Sequence, residues 1–418
     1  MKLILVNRYF FPDQSATSRM TTSIALALVQ RGFNVTALAS REIHNQRNIV
    51  LPAEEVATGV RVKRLTSPRF GRHTVMGRAV DYLCFHLFAF FWLLRNVSAE
   101  DLAIVCTDPP FLSVTSAIAL RLKGATMVNW IMDLFPETAV ELGFFRHWRL
   151  PARLAQKARN WSLKSPGIAV CPTGKMAAYL ERQGLPRSQL TVMHHWSDQE
   201  EIYPVPPDRN SLRAQWGLND TFVVGYSGNF GRAHEFQTLL KAAQRLKDRA
   251  DIRFLLIGGG HQHAAVTETA RLLDLDNVIF KPLQPLANLS ESLSAADVHL
   301  VSLLPELEHC IIPSKFYGIL AAGRPTIFIG DPDGEVPRVL AATGCGMSVP
   351  IGAVDDLVTT ICEMRDKPEI RAEMGQRARQ LLTTEYSREK AVDAWCTLIT
   401  RLQSASPTVS PLPQGISP

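Results

Sequence analysis

At 418 residues, with 46% of positions hydrophobic and 20% charged, the chain has the make-up of a globular protein of two or three domains. That balance excludes an intrinsically disordered chain and a multi-span membrane protein. The formal charge of +6 is a modest excess, and the seven scattered cysteines show no C-x-x-C spacing, so neither a zinc site nor a disulfide frame is indicated. Reduced thiols in a cytosolic protein are expected.

The opening, MKLILVNRYFFP, predicts a strand over residues 2–7 and then a loop; its apolar core is too short for a signal peptide. Helical spacing over 18–31 and a second strand in GFNVTALAS make this a βαβ unit of a parallel sheet. The loop between them, 8–17, is aromatic and hydroxyl-rich. It lacks G-x-G-x-x-G, which argues against a dinucleotide-binding oxidoreductase. Residues 61–78 carry no acid and several arginines. The segment 80–94 (VDYLCFHLFAFFWLL) follows, about 15 residues against the ~20 needed to cross a bilayer. Two arrangements suit it: a helix buried in the core, or one lying in an anionic membrane surface with arginines on the headgroups. Aromatic crowding beside a basic run favours the membrane. Residues 144–161 repeat the mixture of Trp and Phe with Arg and Lys, and no nucleic-acid motif accompanies either stretch.

Further strands are predicted at 102–106, 126–131, 167–171 and 189–193. Prolines 204, 206 and 207 then mark a linker, and a new α/β domain begins at FVVGYSG (222–228). Its strands at 251–258, 277–281, 297–304 and 326–330 alternate with helices. Within it, PELEHCIIPSKFYGILAAGRP reads as loop, short helix and turn: Ser314 as N-cap, Gly323 at the C′ position, Pro325 as the stop. A last helix over 388–402 precedes SASPTVSPLPQGISP, a tail expected to be disordered. The boundaries drawn are 1–198 for the first domain, joined by a returning helix over 387–403, then 199–386 for the second and 404–418 for the tail.

In parallel sheets of this kind, ligands bind outside the carboxyl ends of the strands. Lys315, with the amides of Ser314 and Lys315, stands at such an end, and so does Arg232, beside Gly228, Asn229 and Gly231. Cations and exposed amides there suit a phosphate. On the first domain, Asp133 and Glu137 follow an apolar strand, so either could take a proton from a hydroxyl or steady positive charge; a helix-capping role is an equal alternative for Asp133. Glu335 opens a predicted helix, where the dipole favours a carboxylate. Asp-x-Asp at 274–276 and 331–333 is a weak metal signal, and no metal is expected. His194 and His195, near the linker, are expected at an interface.

Five stretches together resemble a known family: Asn7–Pro12 with the following helix, WIMDLFPE (130–137), HHWSDQEEIYP (194–204), GYSGNFGRAHE (225–235), and PSKFYGILAAGRP with GE at 334–335. The chain resembles the family-4 glycosyltransferases of the GT-B fold, in the branch that adds amino sugars during bacterial surface-polysaccharide assembly. The resemblance implies two Rossmann-like α/β domains facing across a cleft, with the second binding the donor, the first binding the acceptor, and closure completing the site. It implies a retaining, metal-independent transfer, without cofactor, from a UDP-linked N-acetylamino sugar to a lipid-diphosphate acceptor at the cytosolic membrane face. It further implies that Glu335 holds donor-sugar hydroxyls, that Lys281 to Leu283 read the base through backbone groups, and that Ser15 and Thr17 reach the donor phosphates. The family's paired glutamates, eight apart, fall here on Cys310 and Gly318, with Glu306 or Glu308 as stand-ins for the first. The alternatives are a nucleotide-sugar 2-epimerase of the same plan and a non-catalytic membrane-bound assembly partner.

Overall fold

The computed structural model describes residues 1–44, 46, 49–66, 68, 70, 75–144, 149–164 and 167–405. The expected tail lies outside these residues from 406 onward, as do parts of both basic stretches. Two sheets carry the fold. The first has eight strands: β1 (Leu3–Val6), β2 (Val35–Ser40), β3 (Glu54–Ala57), β4 (Val60–Leu65), β5 (Leu102–Cys106), β6 (Thr126–Trp130), β7 (Gly167–Cys171) and β8 (Leu190–Val192). Their order is β3-β4-β2-β1-β5-β6-β7-β8, parallel throughout except for the β3–β4 hairpin. The second has six parallel strands: β9 (Phe222–Asn229), β10 (Ile252–Gly259), β11 (Val278–Lys281), β12 (Val298–Ser302), β13 (Thr326–Ile329) and β14 (Gly346–Val349), in the order β11-β10-β9-β12-β13-β14. The central strands are buried along their whole length and largely apolar, because helices cover both faces of the sheet. In each sheet the strand order reverses once, between β1 and β5 and between β9 and β12. Those are the points where such sheets leave a crevice.

Among the described residues six helices connect the first sheet: α1 (Ala16–Gln30), α2 (Val75–Asn96), α3 (Leu112–Lys123), α4 (Glu137–Glu141), α5 (Arg149–Leu163) and α6 (Gly174–Arg182). Helix α2 is longer than the 15-residue segment expected from hydropathy. The stretch Met76–Asn96 is long and apolar enough to cross a membrane, yet Phe85, Ala89 and Leu93 are buried in the lobe's core. The opposite stripe, Met76, Val80, Leu83, Leu87 and Phe91, stays exposed. Spacing of three and four residues puts these five on one face. So the helix is neither wholly buried nor free of the fold.

The C-terminal helix Arg388–Ala405 returns to the first lobe. Its Trp395 is fully buried against Trp130 (4.7 Å between ring centroids), and Trp196 also stacks on Trp130 at 6.0 Å. A further apolar cluster runs through the seam between the lobes, joining Leu134, Met176 and Leu180 of the first to Leu307, Cys310 and Val336 of the second. The lobes are therefore packed together, and the seam is closed by hydrophobic burial as well as by polar contacts.

Candidate active site

On the second lobe, the crevice is built by two glycine turns and a lysine. Strands β9 and β10 have Gly228 and Gly258 as their next-to-last residues, with φ values of 137° and 138° in the region that favours glycine. A Cβ on Gly258 would lie 2.0 Å from the Gly228 carbonyl oxygen, and one on Gly228 would press on Lys315 Cε at 3.3 Å. These turns thus close on each other with Lys315 above them. Lys315 begins the short helix Lys315–Ala321. Its Nζ donates to Tyr226 Oη (2.5 Å), which in turn donates to the Asn229 carbonyl (2.8 Å). The ammonium also lies 3.9 Å from the centre of the Tyr226 ring, a cation–π contact, and 3.3 Å from His234 Nε2.

The tautomer of His234 follows from its other nitrogen: Nδ1 lies 2.5 Å from the Ser302 carbonyl, an acceptor, so Nδ1 carries the proton and Nε2 accepts from Lys315. Burial, together with the Lys315 charge, holds the His234 imidazole down to a pKa of about 3, hence neutral. Burial likewise pushes Lys315 down to about 7, although the residue keeps some accessible surface toward the crevice. Among the described residues Lys315 has no carboxylate partner. A desolvated cation without a counter-charge favours an incoming anion. Tyr226 and His234 lie within the GYSGNFGRAHE stretch but were not singled out there; only the fold brings them to Lys315.

The other expected donor residues are spread around this point. Asn229 is exposed at the end of β9, and its Oδ1 is where a Cβ on Gly260 would fall, at 2.1 Å. Arg232 is exposed and lies 4.8 Å over the ring of Phe144 from the opposite lobe, so it sits on the rim rather than beside Lys315's ammonium. Leu283 is exposed beyond the end of β11. Ser314 occupies the N-cap position, but its hydroxyl makes no capping bond and its backbone is already helical (φ −58°, ψ −22°). The expected cap is not made. Gly323, at φ 61°, takes the expected left-handed place after that helix. Ser15 donates to Asp13 Oδ1 (2.5 Å); buried Asp13 also accepts the Ser15 amide (2.8 Å), so the aspartate shapes this first loop. Thr17 is half-buried at the second position of α1.

Glu335 opens the helix Glu335–Thr343. Its carboxylate accepts from the N–H groups of Gly174 (3.3 Å) and Lys175 (3.4 Å) at the start of α6, across the seam. Lys175 Nζ pairs with Asp331 Oδ2 at 3.2 Å, and Asp331 Oδ1 takes the Asp333 amide. Asp331 therefore works as a seam and turn residue. Glu308, one of the two possible stand-ins, is buried and accepts the Glu335 amide at 3.1 Å; burial pushes its pKa up to about 7. Cys310 is fully buried in the interlobe cluster, its carbonyl accepting the Leu134 N–H at 2.9 Å, and Gly318 faces Leu293 and Ile202. Neither position of the glutamate pair is polar in this chain.

On the first lobe Asp133 and Glu137 part company. Asp133 is open to the cleft and accepts from Thr107 Oγ1 at 2.7 Å; partial desolvation on the cleft floor pushes its pKa up against that hydrogen bond. It does not cap a helix, because α4 begins after Pro136. Glu137 is buried and receives Arg159, Gln156 Nε2 (2.9 Å) and Tyr179 Oη (3.1 Å). It ties α4, α5 and α6 together. As a free carboxylate in the cleft it is corrected. His195 is buried with both ring nitrogens unpartnered, and burial lowers its pKa to about 4, which removes it as a base near neutrality. A cavity of about 310 Å³ between Arg31, Asp198 and Arg388 lies where α1 ends, away from the carboxyl ends of the strands.

Two family descriptions account for nearly all of this architecture. Residues 15–196 match the Glycosyl transferase 4-like domain, and residues 208–381 match Glycosyl transferases group 1. A Pseudomonas aeruginosa protein described as a glycosyltransferase, WbjE, is 26% identical over 350 residues, covering 81% of this chain and 84% of its own length. WcaI of Escherichia coli K12, described as a colanic acid biosynthesis glycosyl transferase, is 23% identical over 400 residues, 92% of this chain and 97% of its own. Among solved structures, the sucrose-phosphate synthase of Thermosynechococcus elongatus superposes with a TM-score of 0.77 at 18% identity, covering 97% of this chain and all of that one. Anabaena HepE in complex with UDP-glucose gives 0.71 at 15% identity over 96% of this chain and all of that one. With both lobes matched in order, the chain belongs to the group 1, type 4-like glycosyltransferases and is a nucleotide-sugar-dependent enzyme of the GT-B fold.

Proposed function

We propose that the protein is a retaining glycosyltransferase of bacterial surface-polysaccharide assembly, moving an N-acetylamino sugar from a UDP donor to a lipid-diphosphate acceptor. The observation that carries the donor half is Lys315. Its ammonium has three N–H bonds, two directed at Tyr226 and His234, and no carboxylate neutralises it among the described residues. A diphosphate set over the Gly228 and Gly258 turns would take the third N–H and supply the missing charge. As the bond from sugar to diphosphate breaks, that fixed cation meets the charge that develops, with no reorganisation at the moment of reaction and no divalent ion required. Arg232 on the rim and the amides at Ser314 and Lys315 add to the field, Ser15 and Thr17 approach from the opposite loop, and Glu335 is released from α6 to hold donor hydroxyls. Asp133 takes the acceptor side. A carboxylate raised by partial burial and steadied by Thr107 is suited to receiving a hydroxyl proton.

The acceptor's lipid character rests on the outer face of the first lobe. Helices α2 and α3 pack side by side, and α3 packs on α5. Together they expose Leu83, Leu87, Phe91, Leu122, Leu154 and Trp161. Neither α3 nor α5 contains an acid, and the one acid of α2, Asp81, is buried. Apolar groups rimmed by Arg95, Lys123, Arg153 and Lys157 match an anionic membrane surface. That match supports a position on the inner face of the cell membrane. The test is calorimetry with UDP and UDP-sugars on the wild type and Lys315→Met. Loss of binding in the variant is expected; equal affinity in both would remove the diphosphate site.

A further inference from the structure

A small recess opens on the first lobe between the carboxyl ends of β5 and β6, and it is lined by Thr107, Phe111, Asn129, Asp133, Phe135 and Arg159 among others. It holds about 20 Å³, room for one water-sized group. Two buried polar atoms on its lining residues have no partner: Asn129 Oδ1, an acceptor, and Arg159 Nη1, a donor. Both residues are at least nine-tenths buried. Such orphans are uncommon in folded proteins and ask for an occupant. A single hydroxyl, which accepts and donates at once, would satisfy both.

The mouth of the recess is aromatic. Phe111 and Phe135 meet edge to face, 5.1 Å between centroids at 88°. Phe111 sits at φ 67°, left-handed, where a bulky L-residue is an outlier. That conformation is held at the start of α3, beside Asp133 and facing the same opening. The apolar face of a sugar ring packs well against such rings, with its hydroxyls directed past their edges.

We infer that this recess is a subsite for the sugar ring of the acceptor: Phe111 and Phe135 carry the ring's C–H face, and one ring hydroxyl enters to bond Asn129 and Arg159. A neighbouring hydroxyl then lies beside Asp133. The occupant is a neutral pyranose, since Arg159 is already neutralised by Glu137. The identity of that ring as an acceptor rests on the glycosyl-transfer reading; the existence of the subsite does not.

The experiment is saturation-transfer NMR with the methyl glycosides of N-acetylglucosamine, glucose, galactose and fucose as probes, run beside UDP calorimetry. Two variants are compared with the wild type. Phe111→Gly removes the platform at a position whose backbone favours glycine, and Asn129→Leu removes an orphan acceptor in a site of similar volume, so both are expected to fold. At least one glycoside should show transfer to the wild type, strongest on its ring C–H protons, and either variant should weaken it about tenfold while UDP affinity stays the same. Absence of transfer for all four probes, or transfer unaltered in a folded variant, would overturn the subsite. UDP failing to bind the wild type while the glycoside signal persists would overturn the donor reading and leave the subsite standing. Should Phe111→Gly not fold, Asn129→Leu decides.

Discussion

Lys315 concentrates the residue-scale chemistry. Replacing it with methionine preserves length and packing but removes a charge-assisted donor, and nucleotide affinity is expected to fall by roughly 1–3 kcal/mol. Burial keeps its free pKa near 7, and a bound diphosphate would raise it, so binding takes up a proton. Nucleotide affinity should therefore decline from about pH 7 to about pH 9, with proton uptake visible by calorimetry in buffers of different ionisation enthalpy. The sign for folding is the reverse. An unfolded lysine holds its proton up to about 10.4, so between about 7 and that value the unfolded chain binds more protons than the folded one, and this residue makes stability rise with pH. Asp133 and Glu137 separate at the same scale. Asp133→Asn is expected to lower kcat by about 10²–10⁴ with nucleotide binding intact. Glu137→Ala leaves Arg159 buried and uncompensated, at a cost of about 3–5 kcal/mol in unfolding free energy, read by denaturant titration. Activity in that variant should fall with the folded fraction.

Helix α2 decides the element-scale question. Its inner stripe of Phe85, Ala89 and Leu93 belongs to the core, while Leu83, Leu87 and Phe91 face outward. Changing Leu83 and Leu87 together to glutamate touches only exposed positions, so the melting temperature should shift little. Sedimentation with vesicles containing phosphatidylglycerol should nevertheless show binding lost in that variant and retained in the wild type. Wild-type binding should also weaken as salt is raised, since the rim arginines and lysines act through screened charge. Binding that is equal on neutral and anionic vesicles would leave the basic rim without a role. The carboxyl-end turns show the same division between local and distant causes. Gly228 and Gly258 are required by left-handed backbone, whereas Gly318 is not: its Cβ would meet only ordinary contacts, 3.5 Å to Leu293 and 3.9 Å to Ile202. The apolar side chains around it, rather than any strain, make a carboxylate unwelcome there.

Across the whole molecule the contacts that hold the lobes include the apolar cluster around Cys310, the polar bridge of Lys175 with Asp331 and Glu335, and the C-terminal helix. The polar bridge is half-exposed, and its ion pair contributes little, about 0–1 kcal/mol. The helix is the strong tie. Trp395 is completely buried against Trp130, so Trp395→Ala should cost about 3–5 kcal/mol and free the helix from the first lobe, seen as faster amide exchange across Arg388–Ala405. Because Glu335 is bonded to α6 in this structure, a donor that uses it must loosen the seam. Small-angle scattering with and without UDP-sugar should show a change in radius of gyration, and no change would separate Glu335 from the donor.

Part of this fold is controlled by local pattern alone. Strands at 102–106 and 167–171 follow from apolar runs that both faces of a parallel sheet demand, and Gly323 from the turn after a short helix. The family likeness in five ordered stretches pointed to both lobes and to Lys315. Only the tertiary structure decided the rest, because burial and partners come from residues far apart in the chain. Tyr226 and His234 lie about eighty or ninety positions from Lys315, yet they fix the direction of its ammonium. Arg159 takes Glu137 out of the cleft, and no spacing near WIMDLFPE announces it. Helix α2 was legible as apolar, but which of its sides meets the core depends on the sheet beneath it. The recess at Asn129 exists only where two strand ends, α3 and α5 converge, so its orphaned donor and acceptor could not be read from either stretch alone.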